Sequence, residues 1–130
     1  MEDFTFYDFG NGSSCRIGDD QIAINHKKNN YSITFSQTKS KEILKSGLKR
    51  VRIRVDNITG EIHFVINNDF GAILGRTGSG SSVNVKIGNK QLVKFLCNRL
   101  KFDEKSDRDL VYISNDLANN KDYITYKIIG

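Results

Sequence analysis

Apolar and polar residues alternate along most of this chain, and the alternation gives way to a longer period in two stretches. Successive side chains of a strand point to opposite faces, so alternation predicts strands with one buried side. By this pattern strands are expected over residues 4–9, 15–17, 21–26 and 31–35, the last with Tyr31, Ile33 and Phe35 on one face. Residues 10–14, 18–20 and 27–30, rich in Gly, Asn, Asp and Ser, mark the turns between them. The clearest hairpin joins residues 50–55 to 61–67, where Gly60 suits the positive φ that a tight turn demands. Further strands are expected over residues 70–74, 82–87, 110–113 and 123–129, with 75–82 as a glycine-rich loop and 102–109 as a charged one.

The two longer-period stretches predict helices. The first falls within residues 37–46, with Ser36 or Thr38 able to cap its start and Gly47 able to end it in the left-handed conformation. Its apolar content is thin (Ile43, Leu44, then Leu48), so it should lie on a sheet. The second is the stronger: Leu92, Val93, Leu96, Cys97 and Leu100 form one stripe of a 3.6-residue period, and Asn89 can cap it. The expected fold is a single α+β domain over residues 1–130, mainly antiparallel sheet with two helices. The order of strands then helix occurs twice, as a tandem pseudo-repeat. That order resembles the four-strands-then-helix arrangement of the PUR and whirly single-stranded nucleic-acid-binding domains. The resemblance is one of element order and carries over no functional residue.

Composition narrows the class. The chain has 130 residues, 38% of them apolar and 27% charged, as in globular proteins, and it has no proline. No apolar run approaches the roughly 20 residues of a membrane helix, so no membrane partner is expected. Residues 1–4 carry neither the basic nor the apolar part of a secretory signal. Cys15 and Cys97 fit no metal or redox spacing and read as free thiols, so the expected location is cytoplasmic. The net charge is +5, unevenly spread. From Lys27 to Arg54 there are nine Lys or Arg against one acid, Glu42. A second basic run, Lys86, Lys90, Lys94, Arg99 and Lys101, contains no acid. Such asymmetry points to an anionic partner.

Within the basic segment, residues 49–55 alternate cations with β-branched residues. Val51, Ile53 and Val55 should pack inward, leaving Arg50, Arg52 and Arg54 as a row on the other face. Guanidinium groups bind phosphate bidentately and stack on bases. The same row could also be a solvated face, with Arg52 or Arg54 paired to Glu61 across the hairpin. A nucleic-acid site built on it would use Lys49, Arg50, Arg52 and Arg54 with Lys27 and Lys28, Tyr31 for stacking, and Arg76 from the glycine-rich loop.

Other chemistries find less support. Residues 75–82 match a phosphate loop at Gly75, Gly80 and Ser82, but Ser81 stands where the lysine is required. A strand follows where a helix should open. His26 and His63 have no metal-ligand spacing with each other or with either cysteine. No Ser-His-Asp or Cys-His arrangement is evident. The expectation is a non-enzymatic nucleic-acid-binding module without cofactor or metal and with weak sequence preference. The rival is an interaction protein that docks an acidic partner, or one that self-associates into a homo-oligomer through the terminal strand 123–129.

Overall fold

Among the described residues, nine antiparallel strands and two helices follow in the order β1 (Gln21–Lys27), β2 (Asn30–Phe35), α1 (Gln37–Ser46), β3 (Arg50–Val55), β4 (Ile62–Asn67), β5 (Ala72–Ile73), β6 (Gly75–Thr77), β7 (Asn84–Ile87), α2 (Lys90–Leu100), β8 (Arg108–Ser114) and β9 (Ile124–Ile129). They come from a computed structural model that describes residues 4–5, 17–78, 83–103, 105–115 and 119–129. Most of the expected strands 4–9 and 15–17 lies outside the described residues, as do Cys15 and residues 79–82 of the glycine-rich loop.

The sheet runs in the order β5-β3-β4-β9-β8-β1-β2-β7-β6. Its two edge strands, β5 and β6, are adjacent in sequence and separated only by Leu74. β5 pairs with β3 while β6 pairs with β7, and the Leu74 amide donates to the Lys49 carbonyl at 2.8 Å. One bent segment therefore borders both edges, and the sheet curls until it is nearly a barrel. This corrects the expected loop over 75–82 in its first part, where Gly75–Thr77 is strand. The charged loop is also shorter than expected, because β8 begins at Arg108.

Register follows the alternation. The pairs Ile22–Phe35, Ile24–Ile33, Val51–Ile66, Ile53–Phe64, Phe64–Tyr126 and Ile113–Ile128 put one set of side chains on the inner face. Ile22, Ile24, Ile33, Phe35, Val51, Phe64, Ile66 and Tyr126 are fully buried there. Burying each such side chain is worth about 1.5–3 kcal/mol, so the inner face supplies the main driving force for folding.

The helices pack on the sheet, α1 against β7 and α2 against β1 and β2. Ser36 Oγ caps α1 by accepting from the Lys39 amide, and Gly47 (φ 76°) ends it. The buried Ser40 Oγ accepts from the Val85 amide at 2.7 Å and so ties α1 to β7. Asn89 caps α2 by accepting from the Leu92 amide, and Val93 and Leu96 are its buried positions. No helix among the described residues is long and apolar enough to cross a membrane.

Along the chain, strands then helix occur twice before the last two strands, as expected, but the two sets do not form separate units in the sheet. Strands before and after α1 interleave in one sheet, with β1 and β2 lying between β8 and β7. Nor is β9 an edge: it pairs with β4 on one side and β8 on the other, so its backbone offers no free edge to a second copy.

Candidate functional site

Alternation along β3 divides its side chains as the sequence implies. Val51 is fully buried, whereas Arg52 and Arg54 are exposed and Arg50 is half-buried on the opposite face. Each guanidinium has a neighbour that orients it. Arg50 Nη1 donates to the Gly71 carbonyl at 2.9 Å, the Arg52 guanidinium lies 4.9 Å from the centre of the Phe70 ring, and Arg54 Nε donates to His63 Nδ1 at 3.0 Å. Among the described residues no carboxylate stands within ion-pair distance of any of the three. The cross-hairpin pair with Glu61 does not form. Glu61 instead meets Lys127 of β9 at 3.2 Å.

The turn between β4 and β5 supplies the aromatic ring. Asn67, buried at the end of β4, accepts from the amides of Asp69 and Phe70 and donates from Nδ2 to the Val65 and Phe70 carbonyls. Gly71 then takes φ 102°, which returns the chain to β3. A side chain at Gly71 would collide with the Val51 backbone, so only glycine admits this close approach. The result is a Phe70 ring 60% exposed beside Arg52, and an Ile73 69% exposed opposite Arg50. Neither was expected as a site residue. The turn signal Asn67-Asn68-Asp69 before Gly71 was legible, but the contact of Phe70 with Arg52 depends on the β3–β5 pairing.

At the far end of β3, four groups share the outer face. His63 is buried beneath Arg54, and the hydrogen bond accepted at Nδ1 places the ring proton on Nε2, 3.5 Å from Glu61 Oε1. Lys127 completes the cluster. Its hydrogen bond and positive charge hold the Glu61 carboxyl below the usual range, with the nearby His63 a lesser cause. In the hairpin turn, Asp56 accepts from the Ile58 and Thr59 amides and is likewise lowered.

The remaining expected residues divide between two places. Lys49 and Arg76, both exposed, line one pocket beside the arginine row. Lys27, Lys28 and Tyr31 belong to the β1–β2 hairpin, and on the β4 side three strands (β4, β9 and β8) stand between it and β3. Tyr31 is half-buried on the inner side, where Lys90 and Lys94 of α2 lie 5.4 and 5.7 Å from its ring centre. Tyr31 therefore does not join the arginine row. Tyr126 is buried in the core, and burial pushes its phenol well above the ordinary range.

His26 Nε2 meets Asp109 Oδ2 at 2.6 Å, and its ring stacks on Phe102 at 5.5 Å. The ion pair joins β1 to the start of β8, and the His26 amide donates to the carbonyl of Asp107 just before it. Cys97 is a free thiol. Burial, then the nearby Asp109 charge, raises it above the ordinary thiol range, which keeps it protonated at neutral pH. No group of three or more His, Cys, Asp or Glu suited to a metal occurs among the described residues.

No protein-family model matches the chain, and no curated protein or solved structure shows significant similarity to it.

Proposed function

We propose that the outer face of β3 and the turn before β5 bind single-stranded nucleic acid, without catalysing a reaction on it. The observation that carries this reading is the row Arg50, Arg52 and Arg54, oriented by neutral neighbours, with the exposed Phe70 ring under Arg52. Cations placed beside an exposed aromatic ring suit a strand whose phosphates are neutralised while a base stacks. Lys49 extends the positive strip. The contacts available are to phosphate and to base faces, so sequence preference should be weak. The free thiol at Cys97 accords with a cytoplasmic setting.

The test is fluorescence anisotropy with labelled single-stranded DNA, RNA and duplex DNA across a salt series. Three phosphate contacts on a single strand predict a log–log salt slope of about −2, from roughly 0.7 per phosphate. Arg52→Gln should lower that slope by about 0.7. Phe70→Ala should weaken binding by about 1–3 kcal/mol and leave the slope unchanged, because stacking releases no counterion. Replacing all three arginines by Gln should abolish binding while the fold persists. Unchanged affinity in that variant refutes the assignment.

A further inference from the structure

Beside the arginine row, a pocket of about 210 Å³ opens between the C-terminal half of α1 and the segment that closes the sheet. Buried Ile43, Leu48 and Val85 lie at its base. Leu44 and Ile73, both exposed, form its apolar walls. Lys49 and Arg76 are its charged lining residues, and no acid lines it among the described residues. A nucleobase seated here would find Lys49 and Arg76 as its side-chain hydrogen-bond donors and no side-chain acceptor, and aliphatic carbon would face the rest of its polar edge, which costs those groups their hydrogen bonds. An aliphatic side chain would meet no such cost.

We propose that this pocket receives one leucine-like side chain of an acidic peptide segment from a partner protein. The volume is below the 300–1,000 Å³ or so of drug-sized sites and suits a single anchoring side chain. The flanking carboxylates would meet Lys49 and Arg76, the pairing that charge complementarity selects. Ile73, largely exposed, carries the apolar wall out to the mouth, giving the apolar centre and cationic rim of a docking site. Ile73 stands opposite Arg50 across the β3–β5 pair, so a seated segment would overlie Arg50 and compete with any strand bound there. Direct peptide binding does not depend on the nucleic-acid reading.

The probes are a labelled polyglutamate peptide with one central leucine and the same peptide with alanine in its place. The leucine peptide should bind about tenfold more tightly, as expected for partial burial of the extra methyl and methylene groups. Ile73→Glu, at an exposed position, should abolish that difference, and Lys49→Ser with Arg76→Ser should weaken both peptides alike. A thermal melt establishes that each variant is folded. Equal affinity for the two peptides, or no binding of either, overturns the proposal. So does loss of oligothymidine binding on Ile73→Glu with no leucine dependence, which would assign the pocket to the nucleic-acid surface. Absence of salt-dependent oligonucleotide binding would refute the proposed function and leave the peptide result standing.

Discussion

Replacing Gly71 by alanine should destabilise the protein by about 2–5 kcal/mol, and two separable terms make up that figure. Gly71 has φ 102°, where an L-residue is strained by about 1–3 kcal/mol. The second term is steric. A Cβ built on Gly71 overlaps the Val51 carbonyl oxygen, lies 2.6 Å from the Val51 carbonyl carbon and reaches 3.0 Å from the Arg52 amide nitrogen. These are backbone atoms of β3, which no rotamer change can clear. The segment must therefore lift from β3, loosening the Arg50–Ile73 and Val51–Ala72 pairing and the Arg50 bond to the Gly71 carbonyl. Each hydrogen bond lost costs about 0.5–1.5 kcal/mol net. Gly47→Ala is the control: it has φ 76° and no atom within 4 Å of a built Cβ, so it carries the conformational term alone, about 1–2 kcal/mol. Urea unfolding of both variants, followed by far-ultraviolet circular dichroism, measures the difference. A Gly71→Ala loss no larger than that of Gly47→Ala would refute the claim that this glycine permits closure of the sheet. With total stabilities of about 5–15 kcal/mol for small domains, the expected loss is a large share.

Acid should weaken the β3–β4 hairpin region. Asp56 and Glu61 have lowered folded values, so their stabilising contribution is complete above the ordinary carboxylate range and disappears as pH falls through the lowered folded values. The urea midpoint should fall on acidification below about pH 4, and Asp56→Asn with Glu61→Gln should flatten that part of the profile. A double variant with an unchanged pH profile would count against the assignment. Cys97, with a raised thiol value, should alkylate slowly at pH 7 and faster only well above the ordinary thiol range near 8.5. Peptide mapping after iodoacetamide treatment follows it separately from Cys15, and rapid labelling at pH 7 contradicts the burial argument.

The local elements are legible in the chain alone. Ser36, Gly47 and Asn89 act as caps because their side chains or backbone freedom satisfy groups that any helix end leaves open. The alternation of residues 50–55 fixed which face of β3 is buried, since the period of two is a property of the strand itself. What those faces meet depends on how distant strands come together. Glu61 stands one residue before β4 and close to Arg54 in sequence, yet it pairs with Lys127, which β9 brings beside β4 from the far end of the chain. Tyr31 looked available for stacking, but β2 turns it inward under α2. Phe70 reads in sequence as the first residue of a strand. Its role at the surface arises because Asn67 and Gly71 fold it back against Arg52 while β5 and β6 close the sheet. Caps and periodicity act over a few residues and are written locally. Pairing between strands far apart in sequence depends on which closure buries the inner face most completely, and that is a property of the whole chain.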